Sequence, residues 1–389
     1  MTQPLAPTVA VVGGGQLARM LAEPAAAMGV PLRLLAEADG VSAAQVIPDH
    51  TVGGYRDLET LRAVTKGCSV VTFDHEHVPA GHLRALEADL AVRPGPAALL
   101  HAQDKAVMRV RLGELGVPCP RNAVVTTPAE VAAFGLPCVL KTTRGGYDGK
   151  GVWMIDAVEQ SAAAFAAAAE AGVQILAEEL VDFRRELSAL VARSPSGQVA
   201  AWPVVESVQR DGICREVIAP APDLDPVLAV RAQQAAMRIA AELDVTGVLA
   251  VELFETNEGQ ILVNELAMRP HNTGHWTQDG SVTSQFENHL RAVLDLPLGA
   301  PDARAPWTVM VNILGGPPQS HGETGRLYDG YPHALARDPR LRVHLYGKDL
   351  RPGRKVGHVN AYGDDLDDCL ERARHAAAWF RGDLGEESE

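Results

Sequence analysis

Two glutamates, Glu252 and Glu265, stand near the ends of VELFETNEGQILVNE, a stretch that reads as two strands joined around the turn TNEG. If that turn centres between Glu258 and Gly259, the two carboxylates face each other across an antiparallel ladder, with both side chains on one face of the sheet. Like charges so placed repel. A shared proton or a cation that prefers oxygen ligands, magnesium above all, relieves them, and Asn264 stands beside the pair as a neutral oxygen donor. A solvated edge would make the same residues surface charges; VLAV and ILV around them read instead as the buried face of the strands.

KTTRGGYDGKGVW, residues 141–153, sets Lys141 ahead of Gly145, Gly146, Gly149 and Gly151, between two apparent strands. It is not a Walker A loop, which joins strand to helix and carries Ser or Thr after its Lys. A glycine-rich flap between strands can still cover a triphosphate with its backbone N–H groups, while Lys141 reaches the phosphates as a point charge. RPHNTGHW, residues 269–276, follows the acid-bearing strand and gathers Arg269, His271, Asn272 and His275, donors that suit an oxyanion or, alternatively, an ordinary loop anchored by Trp276. YGKDLRPGRKVGH supplies Lys348, Arg351, Arg354 and Lys355, either a solvated loop or a contact for an anionic ligand.

Toward the amino end, TFDHEHVP puts Asp74, His75, Glu76 and His77 at the carboxyl end of a strand, where open α/β sheets hold ligands, and Glu76 is expected to face that cleft. Consecutive residues of an extended chain point to opposite faces, which speaks against a metal site there. GGGQLARM places Gly13, Gly15 and Ala18 at dinucleotide-binding spacing, with Glu37 after the next strand. That fits an NAD site, a tight strand-to-helix turn or an anion seat at a helix N-terminus.

The elements that must position these groups are legible as patterns. Residues 8–13, 31–36 and CSVVTFD read as strands alternating with helices at 16–28, DLETLRAVTKG and AGHLRALEADL, a parallel α/β domain over residues 1–103. Beyond the break at VRPGPAA come a helix (DKAVMRVRLGELG), a strand (VPCPRNAVV) and a short helix (PAEVAAFG) that lead to the glycine loop. Ala-rich SAAAFAAAAEAG reads as a surface helix. QILAEELV, RELSALVARS and VAAWPVVES then predict antiparallel strands, followed by a helix at DPVLAVRAQQAAMRIAAELDV and the acid-bearing hairpin. These span residues 104–298, with a flap subdomain over about 118–182; residues 299–389 add the strands WTVMVNILG, LRVHLYG and VGHVNAYG and a closing helix, a mixed α/β region that completes the site.

Composition narrows the function. The 389 residues are 47% apolar and 22% charged, enough for two or three domains with real cores. A net charge of -14 argues against nonspecific nucleic-acid binding, which needs a basic surface. No uninterrupted apolar run of 18 residues predicts a membrane span, and the first residues lack the basic start of a signal peptide. Five scattered cysteines without a CxxC pair predict reduced thiols in a cytoplasmic protein, with neither a disulfide framework nor zinc.

Lys141 with the glycine flap, EELV followed by Glu186, and the acid pair ending in Asn264 and Glu265 resemble the ATP-grasp superfamily. In order, GGGQLARM, TFDHEHVP, GGYDGKG, NELAMRPHNTGHWT, SQFENHLRA and GRKVGHV, spread over residues 11–359, are similar to the 5-(carboxyamino)imidazole ribonucleotide synthetase family of purine biosynthesis. The resemblance implies an ATP-grasp fold between an N-terminal pre-ATP-grasp domain and a small C-terminal domain, in a cytoplasmic homodimer. It implies ATP, with magnesium or manganese, activating bicarbonate as carboxyphosphate, and transfer of the carboxyl group to the exocyclic amine of aminoimidazole ribonucleotide.

By the same resemblance, Lys105 and Lys141 contact ATP phosphates, and Gly146, Tyr147, Asp148, Gly149, Lys150, Gly151 and Val152 form the closing flap. Glu178, Glu179, Leu180 and Val181 hold adenine, Glu186 and Gln209 lie at the ribose, and magnesium sits on Glu252 and Glu265 with Asn264 completing the nucleotide site. Gln16, Leu17, Glu76, Tyr147, Lys348, Arg354 and Lys355 surround the ribonucleotide, while Arg269, His271, Asn272 and Asp148 serve as catalytic groups. The chain departs from the family pattern at Lys105, often Arg, at Gln209, often His, and at Met268, usually Pro. Lys cannot make a bidentate contact and Gln cannot ionise. An ATP-grasp ligase with another acceptor, and an NAD-dependent oxidoreductase built on GGGQLARM, are the alternative readings.

Overall fold

The computed structural model of the protein describes residues 6–146, 150–316 and 326–384. The chain begins with β1 (Val9–Val12), α1 (Gln16–Met28), β2 (Leu32–Ala36), β3 (His50–Val52), α2 (Leu58–Thr65), β4 (Val70–Phe73), α3 (Ala80–Leu86), β5 (Ala91–Val92) and α4 (Pro96–Gln103). These strands pair in parallel in the order β3-β2-β1-β4-β5. β1 and β4 are buried along their whole length, as their unbroken apolar runs require of a sheet covered on both faces. Val12 lies opposite Phe73, so the glycine turn after β1 and the Asp74–His77 segment after β4 share one edge.

The chain continues with α5 (Lys105–Glu114), β6 (Asn122–Val125), α6 (Pro128–Phe134), β7 (Cys138–Thr142), β8 (Val152–Ile155), α7 (Ser161–Ala171) and β9 (Ile175–Glu179). Asp104 caps α5 by accepting from the N–H groups of Ala106 and Val107, which fixes Lys105 at the helix start. The strands form an antiparallel sheet, β6-β9-β7-β8. Ala-rich α7 packs Ala164 and Ala168 into the same core as Val125, Leu140 and Ile155. Its small side chains allow that close approach.

The neck of the glycine loop is pinched. Thr142 N–H donates to the Gly151 carbonyl at 3.0 Å. A side chain at Gly146 would meet the Lys150 carbonyl at 2.7 Å, and one at Gly151 would meet the Thr142 hydroxyl at 2.6 Å. Both glycines are therefore required by the loop's own geometry, before any ligand is considered.

The remaining elements are β10 (Phe183–Arg193), β11 (Val199–Ala201), β12 (Val205–Arg210), β13 (Ile213–Ala219), α8 (Pro226–Glu242), β14 (Gly247–Thr256), β15 (Ile261–Ala267), α9 (Thr277–Gly280), α10 (Gln285–Val293), β16 (Trp307–Leu314), α11 (Tyr331–Arg337), β17 (Arg342–Leu345), β18 (Lys355–Gly363) and α12 (Leu366–Arg381). They build one sheet, β15-β14-β10-β12-β13-β16-β18-β17, with β11 beside β10. VAAWPVVES is thus two strands where one was expected, because Pro203 has no N–H to donate and falls between them.

β13 went unread in the sequence. Asp211 and Gly212, at φ +55° and +71°, form the two-residue turn that joins it to β12, the Asp-Gly signature of a tight hairpin. Through β13 and β16 the carboxyl-terminal strands extend the central sheet. One core, running from Val12 and Phe73 through Met108 and Leu112 to Ala189, Val251 and Leu266, joins the first sheet and α5 to this larger one. The five cysteines are free thiols, three of them buried. No described helix is long and apolar enough to cross a membrane.

Candidate active site

Glu252 on β14 lies opposite Glu265 on β15, as the sequence predicts, but by another route. Thr256 N–H donates to the Gln260 carbonyl, centring the turn on Glu258, and the pairs Glu255–Ile261 and Leu253–Val263 follow from it. Continued without interruption, that register would set Glu252 against Asn264. The ladder instead slips by one residue between Glu252 and Leu253, leaving Asn264 as the extra residue of a β-bulge. The bulge gives Asn264 and Glu265 a common side: Lys141 Nζ donates to Asn264 Oδ1 at 3.1 Å, and Lys105 Nζ to Glu265 Oε1 at 2.9 Å.

Arg109 on α5 grips this bulge. Its guanidinium donates to the carbonyls of Val263 at 2.8 Å and Asn264 at 2.7 Å, and to Glu178 Oε1 at 2.5 Å. Glu178 in turn pairs with Lys141 Nζ at 2.6 Å. Arg109 and Glu178 are 3% and 2% exposed, so this is a buried charge triad. Burial pushes the Glu178 carboxyl up, yet the charges of Arg109 and Lys141 outweigh it and hold the group below its ordinary range. The sequence reading missed Arg109; its signal is a cation on the same buried stripe of α5 as Met108 and Leu112.

On the nucleotide side, Gln209 Nε2 donates to Glu186 Oε2 at 2.9 Å. Burial pushes Glu186 up to about 7, with Lys141 opposing. Glu179 closes β9 with its carboxylate on the Arg121 N–H at 2.8 Å, and Leu180 beyond it is exposed. The Glu178 side chain is occupied by Arg109 and Lys141, and its backbone lies between β6 and β7, opposite Asn122 and Val139. Lys150, Gly151 and Val152 stand at the foot of the flap; Tyr147, Asp148 and Gly149 lie outside the described residues.

Beyond the acid pair, His271 Nε2 lies 3.4 Å from Glu252 Oε1. His271 Nδ1 lies 2.9 Å from Thr273 Oγ1 and 3.4 Å from the Thr273 nitrogen, which turns the other ring nitrogen, Nε2, toward Glu252. Burial, then the charges of Arg269 and Lys355, keep this imidazole neutral. Burial first, then Glu265 and Glu186, push Glu252 up to about 8. Arg269 donates from Nε to Glu76 Oε2 at 2.9 Å, while Glu76 Oε1 accepts the Met268 N–H at 3.1 Å. Asn272 exchanges two amide hydrogen bonds with Asn312, at 3.0 and 2.8 Å, and His275 is fully buried. Arg269 and His271 therefore meet the acid pair's side, whereas Asn272 and His275 brace the turn from within.

At the first sheet's edge, Gln16 accepts a hydrogen bond from Lys348 Nζ. The Leu17 side chain is buried in that domain's core, leaving only its backbone to meet a ligand. Arg354 donates to the Asp349 carbonyl at 3.3 Å, and Lys355 opens β18. The glycine turn after β1 is filled by the chain itself: Asp74 Oδ1 accepts the Ala18 N–H at 2.8 Å and Glu37 Oε2 the Gly14 N–H at 3.0 Å. A side chain at Gly15 would overlap the Asp74 carboxylate. Two carboxylates of the chain already occupy the N–H groups of Gly14 and Ala18, an arrangement that favours a tight strand-to-helix turn over a pyrophosphate site for NAD.

Among the described residues, no three His, Cys, Asp or Glu side chains gather as a metal cage. Two opposed carboxylates with an amide oxygen beside them fit magnesium, which keeps several waters and takes its remaining ligands from phosphates. Lys105 already places a cation against Glu265.

Known proteins share this domain order and fold. Residues 110–286 match the ATP-grasp domain family, residues 6–103 the ribonucleotide synthetase preATP-grasp domain and residues 308–372 the phosphoribosylaminoimidazole carboxylase C-terminal domain. Fold and site define an ATP-grasp ligase. The N5-carboxyaminoimidazole ribonucleotide synthase of Mycobacterium tuberculosis is 55% identical over 386 residues, covering 98% of this chain and 89% of that protein. The crystal structure of an N5-carboxyaminoimidazole ribonucleotide synthetase in complex with ADP superposes with a TM-score of 0.87 at 34% identity, covering 99% of this chain and 100% of that one. An N5-carboxyaminoimidazole synthase from Aspergillus clavatus, in complex with ADP and 5-aminoimidazole ribonucleotide, gives 0.86 at 31% identity, covering 96% and 98%. The chain belongs to the N5-carboxyaminoimidazole ribonucleotide synthase family, ATP-dependent carbon–nitrogen ligases of purine biosynthesis.

Proposed function

We propose that the chain joins bicarbonate to the exocyclic amine of 5-aminoimidazole ribonucleotide at the expense of ATP, by way of carboxyphosphate, giving 5-(carboxyamino)imidazole ribonucleotide, ADP and phosphate. The observation that supports it best is the convergence of Lys105, Lys141 and the Glu252–Glu265 pair with His271 beside them. Lys105 and Lys141 exchange Glu265 and Asn264 for nucleotide phosphates, Glu186 and Gln209 take the ribose, and Glu178 to Val181 hold adenine through their backbone. Glu252 and Glu265 would hold magnesium, or manganese in its place, which when bound would supply screening of charge on the transferring phosphoryl group.

Gln16, the Leu17 N–H, Glu76, Tyr147, Lys348, Arg354 and Lys355 surround the ribonucleotide. Arg269, His271 and Asp148 meet the reacting end, with Asn272 holding their turn. Closure of Gly146 to Val152 keeps water from carboxyphosphate, which hydrolyses readily. A cytoplasmic homodimer, and the division at residues 1–103, 104–298 and 299–389, belong to the same reading. Mixing the protein with ATP, magnesium, bicarbonate and 5-aminoimidazole ribonucleotide tests it: ADP release that requires the ribonucleotide is expected. No release with this acceptor, but release with another from a panel of amines and carboxylates, would select the different-acceptor ligase.

A further inference from the structure

SQFENHLRA takes no part in the site as built so far, yet its Gln285, the first residue of α10, is completely buried and reaches the substrate turn. Gln285 Oε1 accepts the His271 N–H at 2.8 Å, and Gln285 Nε2 donates to the His271 carbonyl at 2.8 Å. One side-chain amide thus closes on both backbone groups of one residue, as a neighbouring strand would. Flipping the amide would set donor against donor and acceptor against acceptor, so its orientation is fixed. Nε2 also lies 3.0 Å from His275 Nδ1, within reach of its second hydrogen. The Gln285 N–H donates to Thr277 Oγ1 at 2.9 Å, and that hydroxyl donates to the Gly274 carbonyl at 2.6 Å. Gly274 bears no side chain where a Cβ would overlap Gln285 Oε1.

The turn from His271 to Thr277 is therefore wrapped around one buried amide. We infer that Gln285 is a positioning residue for the ribonucleotide half of the reaction: it fixes the backbone of His271 and with it the aim of Nε2, 3.4 Å from Glu252 Oε1. This rests on the reading of His271 as a group that meets substrate. Gln285 itself touches neither acid of the pair nor either flap-side lysine. Its loss should be felt in ribonucleotide kinetics and not in nucleotide binding.

Two variants of the full chain test this, with His271→Ala as reference. Gln285→Met keeps the length and removes both bonds; Gln285→Glu keeps the acceptor and, when protonated, the donor. Its titratable neighbours, His271 and His275, are both held neutral by burial. For Gln285→Met, kcat/KM for the ribonucleotide is expected to fall roughly 10- to 100-fold with KM for ATP unchanged, the usual scale for a residue that orients another. Gln285→Glu should recover toward wild type as pH falls, since a buried carboxyl facing a carbonyl is favoured in its protonated form. The double variant Gln285→Met/His271→Ala should lose no more than His271→Ala alone.

Wild-type ribonucleotide kinetics in Gln285→Met, beside an impaired His271→Ala, overturn the inference, as does an equal loss in the ATP and ribonucleotide parameters. Should Gln285→Met fail to fold, a pH profile of Gln285→Glu parallel to wild type overturns it. Wild-type kinetics in His271→Ala overturn the reading of His271 instead.

Discussion

Glu252 faces Glu265 because Asn264 is an extra residue in β15, not because the hairpin turn puts the two acids in register. The bulge costs one ladder position and brings an amide and a carboxylate to the same side. Neutralising Glu265 should therefore remove half of the metal's anionic seat while leaving the sheet intact. Glu265→Gln is expected to lower turnover by at least about 100-fold, the scale seen when a charge-stabilising group is removed, with unchanged circular dichroism. Near-normal turnover at limiting magnesium would remove the acid pair from the metal site.

The metal-free protein should also report the burial of Glu252 beside Glu265 through pH. Glu252 is raised from the ordinary 4.5 to about 8, so the folded state holds its proton more tightly than the unfolded state does. Its contribution is fully present below the ordinary carboxylate range and is lost as pH rises through about 8. Urea unfolding of the metal-free protein from pH 6 to 9 should show a decline that Glu252→Gln flattens. Parallel curves for the two proteins would refute it.

Arg109 offers a test of stability. Removing it leaves Glu178 buried with Lys141 as its remaining charged partner and frees the two carbonyls of the bulge. Arg109→Met should cost about 3–5 kcal/mol, the usual price of breaking a buried ion pair. The double variant Arg109→Met/Glu178→Leu should be less destabilised than Arg109→Met alone. Denaturant melts of both would show it, and a single variant as stable as wild type would mean that the triad is not structural.

The filled glycine turn predicts which nucleotide the chain prefers. ATP with magnesium should raise the melting temperature and NAD should leave it unchanged. Gly15→Ala should lower it without ligand, because the new methyl group meets the Asp74 carboxylate. Stabilisation by NAD alone would reopen the dinucleotide reading.

Much of this was legible in the residues. Period-two and period-3.6 patterns marked α1 at its observed ends and both strands of the acid hairpin, since buried faces leave a strong imprint on sequence. The acid register came out right although the turn is offset, because the bulge supplies the missing half step. β13 escaped because its alternation mixes Arg215 and Glu216 with apolar residues; the Asp-Gly turn before it was the better sign. The resemblance names Asn272 among the catalytic groups, and its amide pairing with Asn312 is a tertiary contact that no sequence pattern shows. Gln285 was out of reach for the same reason, since it acts through the backbone of His271, and Arg109 left only the cue of a cation on the buried stripe of α5.

The pairing of β13 with β16 has a consequence for how the chain can be cut. Without the strands beyond residue 306, β13 would present a bare row of N–H and C=O groups on the flank of the main sheet. Such a flank recruits other strands, so a truncated chain should clump as it folds. The carboxyl-terminal strands, besides carrying Lys355 into the site, insulate the sheet against its own copies.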